Sequence, residues 1–175
     1  RKQRSDVDKR GWKKALNLEM QDKSEIIKAL LDVMESNLRR HFDANKSASD
    51  GATNVESRAE TKWDTCGLEA SYLARGHAIQ FKQTAAQVDE LRTMKARSFV
   101  GQVIGIGALV EVEIEGERML FFLMHHGGGI ELKLDMGVVT VITPESPVGT
   151  AMAGKGKGDQ YPLKSGLTGK IKQVY

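Results

Sequence analysis

The chain is poor in residues that would restrict its options by covalent or rigid means. Of 175 residues, one is cysteine and three are proline. A lone Cys66 excludes an internal disulfide and suits a reducing compartment, so a cytoplasmic location is expected. Aromatic residues make up 6% and hydrophobic residues 40%. That supports a modest core and favours a two-part molecule over one large globule. No apolar run approaches the roughly 18 residues that span a bilayer. The charged N-terminal stretch is not followed by an apolar segment, so it does not read as a secretory signal. No membrane partner is expected.

The net charge of +3 is unevenly placed. Residues 1–20 carry seven Lys and Arg against Asp6, Asp8 and Glu19, whereas the remainder is almost balanced. A basic tail over 1–20 is therefore set apart from the rest. Its first reading is a solvated terminus, and its second is contact with nucleic acid.

Over residues 21–96 the pattern is helical. Asp22 and Glu25 fit a capping box. Ile27, Leu31, Met34, Leu38 and His41 then recur at alternating spacings of four and three, the seam of a coiled coil. The polar stretch 45–55, with Asp50-Gly51, reads as a turn. A second cap at Thr53 and Glu56 opens another seam: Ala59, Trp63, Cys66, Ala70, Leu73, His77, Gln80 or Phe81, Thr84, Val88 and Leu91. Gly67 and Gly76 weaken that helix by about 1 kcal/mol each relative to Ala without changing its phase. Two seamed helices and a short polar link predict an antiparallel hairpin with its tip near 45–60. Trp63, Cys66 and His77 read as packing residues. Cys66 and His77 are about 16 Å apart along one helix and cannot form a catalytic pair.

From residue 97 to 175 the period changes to two. Strands are expected at 99–104, 108–114, 118–124, 138–142, 160–163 and 167–174, with a tight turn at Glu115-Gly116-Glu117. One short helix interrupts them: Ser146 suits the cap, Pro147 the first position and Gly154 the end. Val148, Ala151 and Met152 would face the sheet. The expected class is α+β, a helical hairpin followed by an antiparallel sheet with one short helix.

Two motifs attract chemical readings. Gly149 to Gly156 nearly spells the phosphate-binding pattern G-x-x-x-x-G-K-S/T. Gly156 replaces the final hydroxyl, however, and the helix precedes the glycines where a phosphate loop needs it to follow. His125 and His126 end a strand, so alternation points them to opposite faces, and with Gly127–Gly129 they read as an exposed turn. Neither motif predicts a cofactor or a stably held metal. Asp50, Glu56, Glu60 and Asp64 cluster near the hairpin tip. Dipole and capping roles explain acids there. A carboxylate group able to help hold magnesium is the functional reading.

The segment Ser146-Pro-Val-Gly-Thr-Ala-Met-Ala-Gly-Lys-Gly-Lys-Gly-Asp159 resembles the C-terminal signature of GreA/GreB transcription factors, S-P-x-x-x-A-(Leu/Met)-x-G-K-x-x-G-D. The run Ala59-Glu60-Thr-Lys-Trp-Asp64-Thr-Cys-Gly-Leu-Glu-Ala-Ser-Tyr72-Leu-Ala74 is similar to the second hairpin helix of a Gre-like branch. The resemblance implies an FKBP-like C-terminal domain that anchors on RNA polymerase while the hairpin enters its secondary channel. It makes Ser146, Pro147, Gly154, Lys155, Gly158 and Asp159 the docking candidates. It also implies that tip carboxylates assist a magnesium ion shared with the polymerase, which performs the RNA hydrolysis itself. Contact with RNA or DNA would then be indirect, within the elongation complex, and this chain would not be an enzyme.

At the tip the sequence departs from the family. Typical members carry G-D-L-x-E-N-A-E-Y, and aligning Ala59-Glu60 on A-E puts Asn54 and Ser57 where acids are usual. The alternative is a non-cleaving regulator that occupies the channel and competes with true cleavage factors. A prolyl isomerase needs an aromatic-lined pocket, for which Phe99, Phe121, Phe122, Tyr161 and Tyr175 offer little material.

Overall fold

The structure, a computed structural model, describes residues 22–44, 46–47, 66–163 and 166–175. Helix α1 runs over 22–44 and helix α2 over Cys66–Thr93. The sheet strands are β1 (Leu109–Ile114), β2 (Glu117–Leu123), β3 (Glu131–Leu134), β4 (Gly137–Ile142), β5 (Gln160–Pro162) and β6 (Thr168–Val174), with helix α3 at Pro147–Met152. The class is α+β. Contacts divide the chain into two compact units, one of Arg1–Leu30 with Lys95–Tyr175 and the other of Leu31–Met94.

In the Leu31–Met94 unit the two helices run antiparallel. Advancing along α1 from Glu35 to Phe42 takes the partner backward along α2 from Arg92 to Phe81. Arg92 donates from Nε and Nη2 to Glu35 Oε1 at 3.2 and 2.8 Å, and its Nη1 reaches Asp89 at 3.1 Å. The Phe42 and Phe81 rings are 5.9 Å apart and tilted. Met34, Val88 and Leu91 are buried between polar flanks. The expected seam is offset at its start: Ile26 and Leu30 are fully buried, while Ile27 and Leu31 are half-buried. The two candidate stripes are adjacent on a helix. Lys23, Ile26 and Leu30 are buried within the unit of Arg1–Leu30 with Lys95–Tyr175. Lys23, 1% exposed, donates from Nζ to the Arg97 carbonyl at 2.6 Å and lies 4.8 Å from the Phe99 ring centroid. The Arg97 guanidinium lies 4.5 Å from the same ring. A buried amine needs such partners.

The sheet order is β3-β4-β2-β1-β6-β5. β1 and β2 form a hairpin pairing Leu109 with Phe122 and Ile114 with Glu117. Its turn places Glu115 at φ 52° and Gly116 at φ 85°, the two left-handed positions that match the twist of a two-residue hairpin. The sheet is mixed, which corrects the antiparallel expectation: β2 and β4 pair in parallel, Leu120 opposite Val139 and Leu123 opposite Ile142. The cause is β3, an extra strand the sequence reading omitted. It folds back antiparallel on β4 from the outer edge, so β4 returns in the direction of β2. β3 is short and exposes Glu131 and Lys133, as an edge strand does to discourage further pairing. That charge hid it.

The expected strand at 99–104 does not form. Gly101 takes φ 74° and Gln102 N–H bonds back to the Phe99 carbonyl at 2.9 Å, turning the segment into a loop. One face of the sheet packs Val110, Val112, Phe121, Leu123, Ile142, Tyr161 and Ile171 with Met152 of α3, and Val148 and Ala151 lie against them. On the opposite face Leu120, Phe122, Val139 and Val141 are also buried. Each such side chain contributes roughly 1.5–3 kcal/mol. Away from that centre, β1 is ion-paired to both its neighbours, Glu111 with Arg118 of β2 and Glu113 with Lys172 of β6, each at 2.9 Å. The Arg118 guanidinium holds the Glu111 carboxyl below its ordinary range against the upward push of burial, and the Tyr175 hydroxyl, donating at 3.1 Å, adds to the lowering.

Tyr161 is fully buried, and its hydroxyl meets no partner among the described residues. Burial pushes this phenol from 10.0 up to about 12. The unfolded chain therefore loses the proton first, and stability falls as pH rises from about 10 to about 12. Tyr161→Phe is expected to flatten that alkaline decline in denaturant titrations. At neutral pH it should leave stability unchanged or raise it by up to about 1–3 kcal/mol.

Candidate docking surfaces

The segment from Ser146 to Asp159 folds as a capped helical turn followed by a tight return to the sheet. Ser146 has extended dihedrals, and its Oγ accepts the Gly149 N–H at 3.1 Å while donating to the Thr143 carbonyl at 2.7 Å. Pro147 occupies the first turn, where a missing N–H costs nothing. Thr150 Oγ1 donates to the Pro144 carbonyl at 2.9 Å. Gly154 reverses the chain with φ 70°, and Gly158 does so again with φ 94°. Asp159 Oδ2 accepts the Gly156 N–H at 2.8 Å and closes the second turn. Two sets of backbone bonds then hold the segment in place: Ile104 N–H to the Lys155 carbonyl, and Gly158 and Asp159 to Ile171 of β6.

Every docking candidate except the Lys155 side chain thus has a structural task. Ser146 and Pro147 start α3, Gly154 and Gly158 supply left-handed backbone, and Asp159 ties the turn. Lys155 is half-buried and Lys157 beside it is exposed. Sequence reading missed Gly149, where an added Cβ would overlap the Thr143 carbonyl oxygen. A close backbone approach leaves no composition signal. The loop at 99–104 and the return turn border an open cleft of about 480 Å³, lined by Val100, Gln102, Val103, Gly156, Lys157 and Gln173 among others. Val100 and Val103 are exposed on its rim. Expecting a strand there concealed the cleft.

The tip carboxylates Asp50, Glu56, Glu60 and Asp64, together with Trp63, lie outside the described residues. Among the described residues no three His, Cys, Asp or Glu side chains converge as a metal site. His125 and His126 occupy a bend beyond the end of β2, so strand alternation does not apply to them. Their rings are 6.2 Å apart, with His125 exposed and His126 half-buried. Phe99, Phe121, Phe122 and Tyr161 are all buried. α3 precedes the glycines of the near phosphate-loop motif, the order opposite to a phosphate cradle.

The helical unit has a polarised charge. Near Asp32, Glu35, Asp89 and Glu90 it is acidic, with Arg92 drawn into the acid cluster and its guanidinium pKa raised by its hydrogen bond to Glu35. Beyond, over 36–47 and 72–88, Arg39, Arg40, Lys46, Arg75 and Lys82 face one carboxylate, Asp43. All five cations are exposed. Phe42 and Tyr72, 53% and 67% exposed, lie among them. Exposed cations interleaved with aromatics suit a polyanionic setting.

No family model matches the chain, and no curated protein matches it. Among solved structures it is similar to GreA factor homolog 1 (Gfh1) of Thermus thermophilus, with 22% identity over 85% of this chain and 96% of that one and a TM-score of 0.34. A structure of the transcription factor Gfh1 gives 20% identity over 85% and 94%, with a TM-score of 0.35. Gfh1 of Thermus aquaticus gives 20% over 85% and 95%, with a TM-score of 0.33. Similarity of this strength carries no residue's role across.

Ser146→Ala should cost about 1 kcal/mol through the lost cap. Gly149→Ala should cost more, about 1–3 kcal/mol, because backbone must move. Urea titration of both variants checks that order.

Proposed function

We propose that this chain is a transcription factor of the GreA/GreB type that binds RNA polymerase and presents its helical hairpin to the secondary channel. The observation that carries this reading is the polarised helical pair, whose cation-rich stretch would enter an environment crowded with phosphate. The match of Ser146–Asp159 to the family signature supports it, since those residues form the capped turn that the signature implies. The chain would supply ligands and position, and the polymerase would supply the catalytic centre.

In this reading Asp50, Glu56, Glu60 and Asp64 assist a magnesium ion held by the polymerase, and transcript cleavage follows. A specific observation favours a second reading. Asn54 and Ser57 stand where the family pattern has acids, which suits a factor that occupies the channel and competes with cleavage factors.

Core RNA polymerase should co-migrate with the full chain at low salt, and the complex should weaken as salt screens the exposed cations. Arg39→Glu with Arg40→Glu should reduce that binding without lowering the melting temperature. In a backtracked complex, shortened transcripts that disappear in Glu56→Ala with Glu60→Ala would support ligand donation. Unchanged transcripts, with competition against an authentic cleavage factor, would support the regulator. A polymerase that never binds the chain would remove both.

A further inference from the structure

The six-stranded sheet ends in two unlike edges, β5 and β3. β5 is three residues long and contains Pro162. Proline has no N–H to offer, so a further strand cannot complete a ladder on that side. β3 carries no proline. Val141 donates to the Ile130 carbonyl at 2.8 Å, and Leu132 lies opposite Val139. Ladder alternation then turns the backbone groups of Ile130, Leu132 and Leu134 toward β4 and those of Glu131 and Lys133 outward. The Glu131 and Lys133 side chains are exposed, and neither has an ion-pair partner among the described residues.

We propose that β3 pairs with β3 of a second copy of this chain, antiparallel about a two-fold axis at Leu132. In that register Leu132 faces the partner's Leu132, and Glu131 on either side of the axis faces the partner's Lys133. Opposite charges directly across a ladder stabilise it, and the outward backbone groups of residues 131 and 133 exchange hydrogen bonds. Ile130 and Leu134, both half-buried, fall opposite each other at the next position. Asp135, the next charged residue along the chain, is exposed in the turn and faces the partner's Gly129, which has no side chain. A parallel copy would set Glu131 beside Glu131, and a one-residue slip would set charge opposite leucine. The charges that deter a foreign strand therefore admit this one. The pairing closes at two copies, because each uses its open edge and Pro162 bars the other. Four residues a side make a contact below the roughly 1,200 Å² of stable complexes, so the dimer is weak and concentration-dependent. The signature turn is bonded to β6, toward the opposite end of the sheet order, so this inference does not rest on the polymerase reading.

Sedimentation velocity of the full chain over a concentration series tests it without polymerase. A reversible monomer–dimer equilibrium is expected, weakened by salt. Glu131→Lys and Lys133→Glu should each weaken it about tenfold or more, because like charges then face each other on both sides of the axis. Mixing the two single variants should restore dimers as heterodimers. The double exchange, Glu131→Lys with Lys133→Glu, should restore them in one chain. Both positions are exposed, so melting temperature should not fall. A chain that stays monomeric into the millimolar range overturns the proposal. Single variants that dimerise as well as the original chain, mixed variants that stay apart, or oligomers that grow beyond two also overturn it. A dimer that survives the charge variants but dissociates with Ile79→Ser, at an exposed position of α2, overturns it in favour of the helix face.

Discussion

The β domain depends on burial of both faces of β2. Five successive residues, Leu120 to Met124, are nearly inaccessible, and strand alternation sends them to opposite sides. A strand apolar on both sides must sit inside a sheet with cover on each side. β1 and β4 therefore flank it, and α3 contributes Met152 to one side. The parallel pairing with β4 follows, since the chain must go out to the edge as β3 before β4 can enter beside β2. From that arrangement comes the position of the loop 143–146, and with it the cap of α3 and the signature turn.

Much of this was legible because local chemistry and tertiary demand agree. Alternation in Leu109–Ile114, the turn at Glu115-Gly116 and the Ser146-Pro147 cap each have one cheap local solution, and the fold adopts it. The disagreements have physical causes. The loop at 99–104 is as apolar as a strand, but Gly101 allows a positive φ and Phe99 is held by Lys23 and Arg97, so the chain turns. β3 was hidden by the charges that protect an edge. In α1 two neighbouring stripes are both apolar enough, and the sequence pattern alone does not choose between them; at the helix start the buried one is Ile26 and Leu30, beside a Lys23 that bonds to Arg97, 74 residues away in sequence. Of the site, the signature was legible as a pattern but not as a mechanical part. The need for glycine at position 149 arises from a carbonyl six residues earlier, and no local propensity encodes it.

Charge is sorted along the helical unit more sharply than whole-chain composition suggests. Acids gather where Arg92 neutralises them, and cations gather beyond, with little to neutralise them among the described residues. Self-repulsion among those cations costs stability. A helix pair that retains it gains an electric field directed at an anionic neighbour. The same separation explains why the net charge of the chain, +3, says little about its binding surfaces: the total averages over stretches of opposite sign.

The Tyr161 ring occupies the space where residue 169 would place a side chain, and Gly169 lies directly opposite it across the β5–β6 pair. The two positions therefore behave as a single evolutionary character. A larger residue at 169 becomes admissible only after 161 has shrunk, and a shrunken 161 leaves a void until 169 grows. Drift at this pair must pass through a less stable intermediate, so relatives should hold either aromatic with glycine or small with branched, and seldom a mixture.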